Sequence, residues 1–434
     1  MNKIRQSIES IELPSELHNR SKLGIKQAKF RKRKFKKFIV LPLIATLFLA
    51  FSVGVGAATN SNINRLLSIV SPEVALLLQP LQLSMTDEGI KMEVVAAMND
   101  DDMAVVYVTM QDLEGDRIDE TLDIYDYFMS KGHSFTHEVV AYDESTKTAM
   151  IRFQATGAET LNNSKVNFSI QSFLSDKHVF DVKVNIDLNN IEQQQPTTLN
   201  RDAISGMGGE LAGDANEREN YVVLPNGMKN MKIPTIDFME ITNVGIIQNK
   251  FHIQTKWMQN DKDDHGYFYI VNSAGEEIHP SSISYGRDEN GNAEYGHNYQ
   301  EYIFNMQDID MQDYELRGNF TTSGNLVKGN WETTFKLNTV KESKVIDFIY
   351  DFGGWRSTEI DISPLGLTVL GDGEIEQSTE MTATIRMKDG HTKTLMQTTS
   401  FTDKGQIKLK FLADEPLNME NIKSISVNGI EVDL

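Results

Sequence analysis

Residues 38–59 read FIVLPLIATLFLAFSVGVGAAT, 22 residues without a charge, directly after a basic run of Arg31, Lys32, Arg33, Lys34, Lys36 and Lys37. As a helix this stretch would rise about 33 Å, enough to cross a hydrocarbon core of roughly 30 Å. Basic flanks stay on the cytoplasmic side. The sequence therefore predicts a cytoplasmic N-terminus, one transmembrane helix over 38–59 and an extracellular C-terminal bulk, in a single-pass protein of the cell membrane. A cleaved signal peptide is the competing reading, because Gly54, Gly56, Ala57 and Ala58 supply the small residues a peptidase needs. An n-region of 37 residues is too long for that, so a retained anchor is expected. The glycines also weaken the outer end of the helix, either as simple fraying or as a region where a protease unwinds and cuts the span.

Charge divides at the same place. Residues 1–37 hold 12 Lys and Arg against 3 acidic residues, and the rest of the chain holds 30 against 59, so +9 and −29 make up the total of −20. The acidic bulk would repel phosphates, which argues against nucleic acid as a partner. The basic tail suits anionic membrane lipid. Its basic run either only orients the helix or also binds a partner. With no cysteine in 434 residues, disulfides, thiolate zinc sites and cysteine nucleophiles are excluded. An exterior of this size without disulfides fits a bacterial surface.

In the tail, Ile4, Ile8 and Ile11 recur at helical spacing. Leu13-Pro14-Ser15-Glu16-Leu17 breaks and restarts the pattern, with Pro14 at a first helical position and Glu16 near the positive end of the dipole. Leu17, Ser21, Ile25 and Ala28 continue one face. So short a tail cannot bury both stripes within itself. Ile4, Ile8, Ile11, Leu13, Leu17 and Ile25 therefore face either the lipid surface or a protein partner.

Beyond the span, 60–80 reads as a juxtamembrane helical segment with Pro72 starting a second short helix. The pattern then turns to short β runs separated by turn residues. The expected fold class is mainly β, with external domains of β-sandwich, immunoglobulin-like type over 81–190, 232–340 and 341–434 and a linker over 191–231. Asn428-Gly429 marks a hairpin before the last strand. Trp257, Trp331 and Trp355 are expected in sandwich cores.

The chain offers little for catalysis. His133 and His137 lack the H-E-x-x-H arrangement, and on a strand they would stand about 13 Å apart, too far for one metal. Asn260–Gly266 matches part of a calcium loop through Asp261, Asp263 and His265, but position twelve is Asn272 where a bidentate Glu is needed, so a polar turn is expected. Asp100–Asp102 read as a solvated loop with weak calcium binding outside the cell as the alternative, and Tyr125, Tyr127 and Phe128 as core and edge residues with a carbohydrate or peptide surface as the alternative. Neither a P-loop nor a G-x-S-x-G is present, and Gly206–Gly213 lacks the dinucleotide spacing. No enzyme, cofactor or metal is expected.

Three stretches carry a resemblance. Ile11–Leu17 followed by a Lys/Arg-rich run and one span, the segment from Leu76 through LLLQPLQLSMTDEGIKMEVVAAMNDDDMAVVYVTMQDLEGDRIDE, and Ile362-Ser363-Pro364-Leu365-Gly366-Leu367-Thr368-Val369 resemble the membrane-anchored, anti-sigma-factor-like proteins of Gram-positive bacteria with external domains of unknown function. The resemblance implies a sigma factor held by the tail, an unidentified external ligand and no catalytic residues. The zinc-binding anti-sigma fold of other groups is excluded by the absence of Cys, and 37 residues would cover only a small part of a sigma factor. The alternative expectation is an anchored surface-binding or adhesion module whose tail serves topology only.

Overall fold

Continuous apolar runs, 94–98 and 103–108, mark the inner parts of the strands Ile90–Asp100 and Met103–Asp112. A strand reads this way when both faces of its sheet are covered. The computed structural model describes residues 61–434 except 71, 158–159, 214–218, 228–230, 259–261, 307–312, 340–342, 376–380 and 404. In it these two strands lie inside an antiparallel sheet ordered Gln79–Asp87, Ile90–Asp100, Met103–Asp112, Thr148–Gly157, Gly132–Asp143. One face puts Met92, Val94, Ala97, Val106 and Val108 into a core with Phe168, Ile170, Phe173, Val327, Trp331 and Phe335. The other face puts Val95, Ala96, Met98, Met103, Val105 and Tyr107 into a second cluster. A bulge between Val94 and Ala96 inserts the extra residue that lets Ala97 return to the first core.

The opposing sheet is ordered Glu277–Ile278, His265–Asn272, Tyr314–Lys336, Lys165–Lys183, Asp123–Met129. Its two long strands, of 23 and 19 residues, pair antiparallel from Arg317–Lys183 to Lys336–Lys165. They serve two cores. One half closes the sandwich just described. The other half supplies Leu316 and Phe320, with Phe268 and Ile270 beside them, to a core with Ile241, Phe251, Ile253, Tyr302 and Phe304. Those last residues come from a six-stranded sheet ordered Met231–Lys232, Met239–Ile247, Lys250–Trp257, Ala293–Asn305, Ser281–Arg287, Ile204–Gly208. The core-facing positions change parity between Phe180 and Phe173, across a kink where Asp176 takes φ 55°.

Residues 191–231, expected as a linker, contain the paired strands Thr197–Asn200 and Asn220–Val223 and the strand Ile204–Gly208. Leu199, Ile204, Tyr221 and Val223 are buried with Ile283 and Tyr285. The polar composition hid them because their apolar residues are few and alternate with Thr, Asn and Gly.

The C-terminal eight strands, Lys344–Asp351 through Ile430–Asp433, form one folded-over antiparallel sheet. Thr392–Asp403 is its corner, pairing with Ala383–Met387 on one side and Gln406–Leu412 on the other. The enclosed core holds Trp355, Ile360, Ile362, Leu367, Val369, Ile385, Leu409, Phe411 and Ile425. Each such side chain, fully buried, contributes roughly 1.5–3 kcal/mol by transfer from water. The fold is thus mainly β with sandwich-like sheets. Among the described residues no helix is long and apolar enough to cross a membrane. The predicted span, 38–59, lies outside the described residues.

Candidate functional site

The second face of the first sheet is where the chain's separate parts meet. Two short helices, Ser61–Ile69 and Pro72–Leu77, begin the described chain, and Pro72 takes the first helical position, where its missing N–H does no harm. Leu66, Val74 and Leu78 are buried against Val95, Met98, Met103, Val105 and Met150 in one apolar cluster. Leu365 and Leu412 of the C-terminal sandwich belong to the same cluster. Polar contacts fix the first helix on the sheet. Arg65 pairs with Asp143, and the Asn62 side chain donates to Glu93 Oε2 at 3.1 Å.

The C-terminal contribution is built by two elements. Ser363–Gly366 is a hairpin turn whose Ser363 Oγ accepts from the Leu365 N–H at 3.1 Å. Gly366 stands at φ 147°, and a Cβ there would collide with the Phe411 carbonyl, so this turn requires glycine. The second element is the strand Gln406–Leu412. Its Leu409 and Phe411 face the sandwich core, and Lys408 and Lys410 face the other way.

Those two lysines receive the Asp101–Asp102 turn of the first sheet. Lys408 Nζ donates to Asp101 Oδ2 at 3.1 Å and to Asp102 Oδ2 at 2.9 Å, and Lys410 Nζ donates to Asp102 Oδ1. Asp102 is 5% exposed and Lys410 3%. The solvated loop expected at Asp100–Asp102 is therefore corrected. It is a two-residue turn, with Asp101 at φ 45°, whose Asp102 carboxylate is buried against lysines some 300 positions away while Asp101 stays half exposed beside Lys408. Gln154 Nε2 adds a bond to the Ala413 carbonyl at 2.7 Å.

The electrostatics of this seam are finely divided. Burial pulls the Lys410 ammonium down to about 8, against the opposing pull of Asp101 and Asp100. Burial pushes the Asp361 carboxyl up to about 6, helped by the charge of Asp100. Asp100 is raised chiefly by burial. Burial would raise Asp101 as well, but the hydrogen bond and charge of Lys408 outweigh it and hold Asp101 below its usual range. Carboxyls of one turn are thus driven in opposite directions, Asp100 up by burial and Asp101 down by the hydrogen bond and charge of Lys408.

A second buried polar set lies in the six-stranded sheet. Glu301 Oε1 meets His252 Nδ1 at 2.7 Å and accepts the Leu224 N–H at 2.7 Å, and Tyr285 Oη donates to Glu301 Oε2 at 3.3 Å. Arg287 lies over the Tyr285 and Tyr299 rings at 5.3 and 5.5 Å. Burial, then the Glu301 charge, raises the Tyr285 phenol. His252 Nε2 has no hydrogen-bond partner among the described residues. With all of Glu301, His252, Gln254 and Tyr285 essentially inaccessible, this set holds the sheet to one arrangement rather than meeting a solute.

The residues singled out in the sequence divide plainly. The tail set Ile4, Ile8, Ile11, Leu13, Leu17 and Ile25, the basic set Arg31, Lys32, Arg33, Lys34, Lys36 and Lys37, and the exit set Gly54, Gly56, Ala57 and Ala58 all lie outside the described residues. His133 and His137 share one strand. His137 Nε2 sits 3.2 Å from Asp123 Oδ1, and its ring packs on Tyr127. Asp264, in the loop weighed for calcium, accepts from Thr322 and Ser323 as a turn anchor, and Asp261 lies outside the described residues. Among the described residues no group of three or more His, Asp and Glu is placed to hold a metal ion. Trp331 and Trp355 are core residues, and Trp257 is partly buried against Phe238. Tyr127 packs on the first core, whereas Tyr125 and Phe128 are exposed. Sequence reasoning missed Asp102, Asp361, Lys408 and Lys410. The one signal for them is a pair of lysines alternating with Leu409 and Phe411, a pattern shared by any solvated strand.

No protein-family model matches the chain, and no curated protein matches it. Among solved structures, the conserved domain protein from Bacillus anthracis is similar over 81% of this chain and 77% of its own, at 9% identity and a TM-score of 0.34.

Proposed function

We propose that the chain is a single-pass membrane signalling protein of the anti-sigma type. Its tail, residues 1–37, holds a sigma factor at the membrane, its β-rich exterior senses the cell envelope, and cleavage near Gly54–Ala58 ends the hold. The proposal assigns the chain no catalytic residue, no cofactor and no nucleic-acid partner.

The observation that supports it best is the packing of the first helix. Ser61 follows the apolar stretch by one residue, and Leu66 is already buried in the cluster that also contains Leu365 and Leu412. A force or rearrangement at the C-terminal sandwich therefore acts on the chain close to where it would leave the bilayer. A module that served only adhesion has no need of that coupling.

The experiment is genome-wide transcription in cells, read for promoters that share one alternative sigma factor. Deleting residues 1–37 is expected to raise their output, and Ile8→Asp, Ile11→Asp and Leu17→Asp together are expected to do the same. Unchanged transcription in both, with surface binding lost on deleting 232–434, would favour the adhesion reading instead.

A further inference from the structure

The strand His265–Asn272 turns Phe268 and Ile270 into the core and Tyr267 and Tyr269 to the other face. Register places Tyr267 opposite Asn319 and Asn319 opposite Asp181, so the three form one row across three strands. At about 4.8 Å per strand the row spans about 10 Å. Tyr267 is 45% exposed, and its ring lies 5.8 Å from the His279 ring and 6.1 Å from that of Tyr269. In the next row Arg317 pairs in register with Tyr269 and Lys183.

The polar groups of this face are held in place before any ligand arrives. Tyr269 Oη donates to Asp181 Oδ1 at 2.8 Å, and Arg317 Nε donates to the same oxygen at 3.1 Å. Arg317 Nη1 and Lys183 Nζ both donate to Glu315, at 3.0 and 2.6 Å. The hydrogen bond from Arg317, then that from Tyr269, keeps Asp181 ionised by lowering it from the usual carboxylate range, although burial opposes them. Asp181 Oδ2, the Asn319 carboxamide and the Tyr267 hydroxyl make no hydrogen bond among the described residues. Each is an open position on a fixed frame.

An exposed ring beside an open amide and an open carboxylate matches a pyranose, which presents an apolar C–H face and a rim of hydroxyls. The cations here are already neutralised by Asp181 and Glu315, and the chain beyond residue 37 carries −29, so an anionic polymer is disfavoured. The site is a solvent-facing row across three strands, suited to an extended chain. We propose that the face centred on Tyr267, Asn319 and Asp181 binds a neutral glycan polymer, one sugar stacking on Tyr267 and the next bonding through its hydroxyls to Asn319 and Asp181. This supplies a ligand class for envelope sensing, and the binding itself stands apart from any event at the tail.

The test is calorimetric titration of the full-length chain, in a detergent without a sugar headgroup, with β-1,4-linked hexamers of glucose and of N-acetylglucosamine and with poly(glycerol phosphate). One neutral hexamer is expected to bind. Tyr267→Ala and Asn319→Ala are each expected to weaken it tenfold or more, with unchanged thermal melting. Tyr267→Trp keeps the stacking plane and should retain binding, and Tyr125→Ala, an exposed aromatic elsewhere, should leave it untouched. The proposal is overturned if neither neutral hexamer binds at millimolar concentration, if binding survives Tyr267→Ala and Asn319→Ala, or if only the polyanion binds. Sigma-factor capture by the same preparation is scored separately, so loss of glycan binding and loss of the signalling reading are distinct results.

Discussion

Replacing Asp102 with Asn removes the charge that two lysines share at the seam. Asp102 lies 2.9 Å from Lys408 Nζ and also accepts from Lys410, which is 3% exposed. Unit charges about 3 Å apart attract by about 5 kcal/mol at an effective dielectric near 20. Desolvation cancels much of that when the whole pair is compared with water, but removing one partner leaves the other buried and unmatched, a change of about 3–5 kcal/mol. Asp100 and Asp101 still act on Lys410, which sets the expectation at the lower end, about 3 kcal/mol. The C-terminal sandwich has its own core, so the loss should appear as undocking before unfolding. Amide hydrogen exchange of the full chain would then quicken at the seam turns, 101–102 and 363–365, while Val369, its strand partner Leu409 and Ile425 stay protected. The double variant Asp102→Asn/Lys410→Met exchanges the buried ammonium for an apolar chain of similar length and should recover about 2 kcal/mol or more. A coupling below about 0.5 kcal/mol in this cycle would refute the reasoning.

Asp361 should make docking pH-dependent. Its folded pKa, about 6, lies above its unfolded value, so the native state binds the proton more tightly. The stabilisation is then full below about pH 4 and is lost as pH rises through 6, by about 1 kcal/mol once partial exposure is allowed for. Urea midpoints across pH 4–7 should lose this slope in Asp361→Asn. Trp331→Ala empties a fully buried site and strands the Ile90 carbonyl that accepts its indole N–H at 2.9 Å, a loss of about 3–5 kcal/mol read by urea denaturation. Glu301→Ala removes the partner of His252 Nδ1 and the acceptor of the Tyr285 hydroxyl and the Leu224 N–H together, and should cost at least about 3 kcal/mol in the same assay.

Legibility in the sequence followed local physics. Asn428-Gly429 takes φ 50° and 83° between the paired Val427 and Ile430, the left-handed pair that a two-residue hairpin demands. The alternating run at Ile90–Val94 and the apolar run at Val105–Met110 stood out because burial leaves no choice of residue there. In sequence the two long strands look like separate β runs, at 166–170 and 179–188 and at 314–321 and 331–337. Ser175-Asp176-Lys177 and Ser323-Gly324-Asn325 look like turns, yet they lie in the middle of the two strands, where Ser175 pairs with Asn325 and Lys177 with Ser323. Composition cannot report that partnership, because it joins residues 150 positions apart. The same holds for Asp102 with Lys410, each an ordinary surface residue until the fold brings them together.

The central claim is that the tail holds a sigma factor, and the most direct measurement is capture by a peptide of residues 1–37 from lysate, with the captured proteins identified by mass spectrometry. The account expects a sigma factor bound by the native peptide and released when Ile8, Ile11 and Leu17 are replaced by Asp. Recovery of lipid-associated material alone, with no sigma factor from either peptide, would contradict it.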